Sequence, residues 1–141
     1  HPLAVVAHEL SHARRDATVA AGGVVASVLW GVGYLAHADV RAWEESTCRI
    51  NDLVGLVVID GLSVDDALPT AAGGVDAYAL DTPARALYLA ALDSAAASLR
   101  AGELPGEGTA IHRGLHGLQR AGWDAGPWAA AIDGERKTVT P

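Results

Sequence analysis

Phenylalanine and methionine are absent from this 141-residue chain, and aromatic residues make up only 5% of it. Half of the residues are nevertheless apolar, so the core has to be built from Ala, Val and Leu with Gly between them. Small aliphatic side chains of that kind favour closely packed helices. Cysteine occurs once, at Cys48, which excludes an intrachain disulfide framework and a cysteine-rich zinc ribbon and leaves the redox compartment open. Any metal is therefore held by histidine and carboxylate. Lysine also occurs once, at Lys137, and the net charge is −7. Without a basic surplus to displace counterions from phosphates, a nucleic-acid partner is not expected. The stretch shows no n-region, h-region and cleavage-site arrangement, so no signal peptide is expected in it. Neither a fixed-period repeat nor an alternating strand pattern is present. The length suits one domain spanning 1–141.

Helix signals are plentiful. From Pro2 the segment PLAVVAHELSHARRDATVAA has no internal Pro or Gly, which predicts a helix from about residue 3 to about residue 20. Roughly 18 residues without formal charge follow, AGGVVASVLWGVGYLAHA. The run lies at the lower edge of what spans a bilayer. A buried core helix, or two short ones, is the preferred reading of 19–36, with a membrane helix or a surface packed on a partner chain as alternatives.

DVRAWEESTCRINDLVGLVVIDG then offers Asp39 as an N-cap, with Val40, Trp43, Thr47, Ile50, Val54 and Val57 or Val58 at three- and four-residue steps. That spacing predicts an amphipathic helix ending at Gly61. Residues 62–81 read as short turns, with Ser63 capping a brief helix that contains Asp65 and Asp66. The plainest helix is DTPARALYLAALDSAAASLRAG, with Asp81 or Thr82 as cap, Pro83 in the first turn and Gly102 as stop. After a loop at GELPGEGT, TAIHRGLHGLQRAG predicts a helix weakened by Gly114 and Gly117. A last short helix follows Pro127, and the tail ERKTVTP is expected to fray.

The chemistry centres on VVAHELSHARRD, residues 5–16. Residues four apart share one face of a helix, so His8 and His12 can aim ring nitrogens at one ion, with Glu9 on the neighbouring flank. A catalytic zinc takes three protein ligands and leaves a position for water, whose pKa falls toward about 7. Glu9 is placed to take that water's proton. The pattern also arises by chance on solvated helices. Here an apolar run precedes it and Arg14, Arg15 and Asp16 follow, as where a buried helical half emerges into a polar site. Thr18 stands where the long metzincin pattern would place its next ligand. The third ligand must come from elsewhere, and Glu44 and Glu45 are the leading candidates.

HELSHARRD followed by EESTCRIND resembles the gluzincin arrangement, HExxH and then E-x-x-small-Asp/Asn. The similar families are the ImmA/IrrE-type peptidases that cut repressors and membrane-associated peptidases with an E-x-x-A-D motif. The likeness covers roughly residues 3–55. It implies Glu45 as the metal ligand and Cys48 as the small residue packing under the site. Arg49 falls where those families carry Asp or Asn, a place that Asn51 or Asp52 can fill. A shift of one makes Glu44 the ligand, with Thr47 and Cys48 following; Glu45 is favoured. The resemblance also implies a small sheet before the motif helix, and with seven residues ahead of His8 that sheet is expected to be absent or minimal.

Elsewhere, Asp16 is a candidate to orient His12, and the alternative is an ion pair with Arg14 or Arg15. His37 and Asp39 are more naturally helix-end residues than metal or oxyanion groups. His112 and His116 repeat the four-residue spacing but lack a following carboxylate, so a solvated face is expected. Trp30, Trp43, Trp123 and Trp128 read as core or interface fillers. Tyr34, Tyr78 and Tyr88 are candidate oxyanion donors that nothing ranks, and Asp60, Asp65 and Asp66 read as caps and solvated charges.

The expectation is a mainly α, zincin-like single domain in which His8, His12 and Glu45 hold Zn2+ and Glu9 is the general base of peptide hydrolysis. The partner is then a protein or peptide substrate. The rival is a non-catalytic helical interaction module or a subunit of a larger assembly. A second rival is a membrane-anchored peptidase held through 19–36.

Overall fold

In the computed structural model, residues 2–105 and 109–134 are described. They form seven α-helices, with no strand among the described residues: α1 (Pro2–Ala21), α2 (Gly23–Ala36), α3 (Ala38–Val54), α4 (Val64–Ala72), α5 (Thr82–Arg100), α6 (Thr109–Arg120) and α7 (Ala129–Gly134). The mainly helical class expected from composition is the one observed, and the expected fraying of 135–141 lies outside the described residues.

Helix α3 is the axis of the domain. It packs most extensively against α5 and α1, and also touches α2, α4 and α6. A π-helical turn, Gly55–Ile59, continues it and buries Leu56, Val57 and Val58 in the same core as Leu53 and Val54. Gly61, at φ 71°, ends the run in a left-handed conformation that costs a glycine nothing. Tyr88 and Leu92 of α5, Leu115 of α6 and Ile132 of α7 fill the remaining space.

The caps are those of the sequence pattern, with one exception. Ser63 accepts from the Asp66 amide at 3.2 Å at the start of α4, and Asp81 accepts from the Ala84 amide at 2.9 Å at the start of α5. His37, not Asp39, is the N-cap residue of α3; Asp39 sits in its first turn, where a carboxylate still favours the positive end of the helix dipole.

Three expectations about helix faces are overturned. Helix α2 is not a core helix, for none of its residues is buried. Gly23, at φ 84°, breaks the chain away from α1, and a Cβ on Gly22 would lie 2.8 Å from that of Ala26. Helix α2 then leans on α1 and α3 with its small and aromatic side, leaving Val24, Val25, Val28, Leu29, Val32 and Leu35 exposed. Among the described residues no single helix is long and apolar enough to cross a membrane, though Gly23–Ala36 and Ala38–Ile59, bent by 100° against each other, are so as a pair by length and composition.

Helix α3, in turn, does not bury only its apolar stripe. Trp43 is 46% exposed, while Glu44, Glu45, Ser46, Asn51 and Asp52 are buried, because α1 and α2 cover the polar side. On α6, His112 is buried and His116 half-buried, so the expected solvated face is absent. That helix docks against α1 and α3 through Ile111, His112 and Leu115.

A candidate metal centre between α1 and α3

A buried carboxylate needs a partner, since burial without one is costly. Helix α3 buries three, Glu44, Glu45 and Asp52, each at most 4% exposed, and all three meet the histidine face of α1. His8 directs Nδ1 at Asp52 Oδ2, 3.0 Å away. His12 directs Nδ1 at Glu44 Oε1 at 3.4 Å and lies 3.6 Å from Cys48 Sγ through the same nitrogen. An ionised carboxylate only accepts, so each histidine donates from Nδ1 to its carboxylate and turns Nε2 toward the gap between the two rings.

Those two Nε2 atoms face each other at 3.2 Å. Glu45 Oε2 completes a triangle with them, 3.7 Å from His12 Nε2 and 4.0 Å from His8 Nε2. Two ring nitrogens and a carboxylate oxygen this close need positive charge among them: a proton shared between the two Nε2 atoms supplies it in the metal-free fold, and a metal cation would take its place. The edges of a tetrahedral zinc site with ligand distances near 2.0–2.1 Å are about 3.3 Å. The His8–His12 edge matches that value and the Glu45 edges are a few tenths of an ångström longer. The donor set therefore fits a divalent metal held by two imidazoles and one carboxylate.

A second grouping shares the histidines. Donor atoms of His8, His12 and Cys48 also lie within 4.8 Å of one another. Cys48, however, sits against Nδ1 of His12, on the side of the ring away from Glu45. Burial raises the Cys48 thiol pKa.

The same neighbours act on the charge of His12. Hydrogen bonds that its ring donates to Cys48 and then to Glu44 raise its pKa from 6.5 to about 10, against the lowering effect of burial. The pocket favours positive charge at this place.

Surrounding contacts hold the carboxylates. Tyr34 of α2 donates to Glu45 Oε1 at 2.5 Å, and Tyr78 accepts from Arg49 Nε at 3.0 Å. Burial raises both phenol pKa values. Arg49 Nη1 reaches Asp52 Oδ2 at 3.0 Å, so one arginine links the tyrosine beside Glu45 to the carboxylate behind His8. Arg15 pairs with Glu44 Oε2 at 3.4 Å and lies 4.1 Å over the Trp43 ring. Asn51 donates to Ser11 Oγ at 2.5 Å, a further tie between α3 and α1.

Of the residues singled out in the sequence, His8, His12 and Glu45 converge, and Glu9 is exposed one position on along α1. Glu44 supports His12 from behind instead of joining the triangle. Asp16 is exposed and the orienting contacts come from Glu44 and Asp52, the latter being one of the two replacements considered for the family's acidic residue. His37 is exposed at the α2–α3 junction. Tyr34 was unranked in the sequence: no spacing rule connects a tyrosine on one helix with a carboxylate eleven residues later on the next.

No family model matches the chain, and no curated protein or solved structure matches it.

Proposed function

We propose that this protein is a zinc-dependent metallopeptidase, a hydrolase of peptide bonds, in which His8, His12 and Glu45 hold the metal and Glu9 is the general base. The observation that carries this reading is the pair of Nε2 atoms 3.2 Å apart with Glu45 Oε2 beside both, each imidazole backed by a carboxylate. Bound zinc would polarise the scissile carbonyl and acidify a water molecule. The chain's own residues do the rest. Asp52 and Glu44 fix the tautomer and orientation of the two rings. Glu9, exposed to solvent beside the histidine face, accepts a proton from the attacking water as its oxygen bonds to the carbonyl carbon. Glu9 then returns the proton to the departing nitrogen as the C–N bond breaks.

The test is hydrolysis of an unstructured protein by zinc-loaded enzyme and by a Glu9→Gln variant. Loss of activity in the variant at unchanged zinc content supports the assignment; an active Glu9→Gln protein overturns it.

The exposed aliphatic stripe of α2 favours a second reading, a helical module or subunit packed on a partner chain, or a peptidase held at a membrane through the same helix. At 14 residues, α2 is about 21 Å long, short of the ~30 Å hydrocarbon core. A thiolate ligand from Cys48 in the zinc-loaded protein would support the non-catalytic module over the enzyme.

A further inference from the structure

Helix α2 lies on the surface of the domain, packed on α1 and α3. None of its residues is buried, and its long aliphatic side chains point away from α3. On its inner side, Arg41 donates to the Tyr34 and Leu35 carbonyl oxygens at 2.9 Å each, pinning the C-terminal end. Trp30 lies 6.0 Å from the Arg15 guanidinium and stacks obliquely on Tyr34, at 6.4 Å. Beside this packing, the Tyr34 hydroxyl donates to Glu45 Oε1.

That bond divides the work of one carboxylate. Oε1 is occupied by the phenol, so Oε2 alone is presented to His8 Nε2 and His12 Nε2. Without the hydroxyl, Oε1 loses its donor, and the presentation of Oε2 to a metal is held less firmly.

We infer that Tyr34 is a positioning residue that couples the seating of α2 to the metal affinity of the site. Linkage makes the coupling reciprocal: if seating α2 strengthens metal binding, bound metal stabilises the seated α2 by the same factor. The exposed helix then reports its own position to the metal site, and a partner that draws α2 outward weakens the site without touching a ligand. The inference rests on the metal reading of His8, His12 and Glu45.

The experiment uses zinc itself, titrated against a competing chelator, in the wild-type chain and in Tyr34→Phe, with hydrogen exchange followed over 23–36. Outer-layer hydrogen bonds to a ligand are worth about 10- to 100-fold in metal affinity. That loss is expected in Tyr34→Phe, at unchanged helix content. Zinc is expected to slow exchange in α2 of the wild type, a readout that needs no variant, and to slow it less in Tyr34→Phe. Equal zinc affinity in the two proteins, or exchange in wild-type α2 that ignores bound zinc, overturns the inference and leaves the proposed peptidase standing. A wild-type chain that binds no zinc overturns both, and the two failures are thereby told apart.

Discussion

Glu45 and Cys48 lie one helical turn apart on α3, and both face His12, but from opposite edges of its ring. Glu45 Oε2 is on the Nε2 side at 3.7 Å and Cys48 Sγ on the Nδ1 side at 3.6 Å. Replacing each separates their roles. Glu45→Gln is expected to weaken zinc binding by on the order of 100-fold, the upper end of what even an indirect partner contributes, while Cys48→Ser leaves it unchanged. A Co2+-loaded sample read by absorption spectroscopy checks the same point, since a sulfur-to-cobalt band in the wild type would place Cys48 on the metal.

Proton and metal compete for His12. With its pKa raised from 6.5 to about 10 in the metal-free fold, the imidazolium contributes stability that is complete below about pH 6.5 and is lost as pH rises toward about 10. Thermal unfolding of the metal-free protein should therefore show a falling Tm between pH 7 and 10. The ligand must be deprotonated to bind a metal, so zinc uptake near pH 7 is expected to release a proton from His12. Zinc affinity then strengthens by up to about tenfold per pH unit through the neutral range. Calorimetry in buffers of different ionisation enthalpy measures that proton directly. Much of this was legible in HELSH and in the two glutamates that follow. Asp52 was there as one of two replacements for the family's acidic residue, but the orienting role of Glu44 was not legible, because such a contact depends on the angle between α1 and α3, which spacing along one helix does not encode.

Among the elements, those with strong caps were the most legible. Asp81 with Pro83 and Ser63 with Asp66 satisfy amides locally, and local chemistry is what a sequence shows. Helix α2 was read as core because it is apolar, and it is not core because its small and aromatic residues already supply the inner contacts. Helix α3 was read from its apolar stripe alone, yet its buried polar side carries the candidate site. Exchanging Val25 and Leu29, 72% and 67% exposed, for Gln keeps the helix propensity roughly level, and exposed substitutions change stability by about 0.5 kcal/mol or less. The double variant should keep its Tm and its zinc content while losing any self-association, vesicle binding or detergent dependence of the wild type, as sedimentation and liposome flotation would record. If the stripe has no partner, the two proteins will behave identically in both assays.

At the scale of the domain, composition sufficed for the class. A chain without Phe or Met packs Ala, Val and Leu into closely spaced helices around α3, with Tyr88 the one aromatic ring among its largest fully buried side chains. The same economy places three buried carboxylates on the central helix and leaves the burden of neutralising them to α1, α2 and Arg49. Those carboxylates are costly to bury, and the metal proposed between His8, His12 and Glu45 would offset part of that cost.

Zinc content decides the matter most directly. Elemental mass spectrometry on the purified chain, after exposure to zinc and removal of the excess, should find about one zinc per molecule. That zinc should be absent from His8→Ala and His12→Ala proteins of unchanged helix content. A folded wild-type chain that retains no more zinc than those variants would mean that the two imidazoles and Glu45 converge without serving a metal.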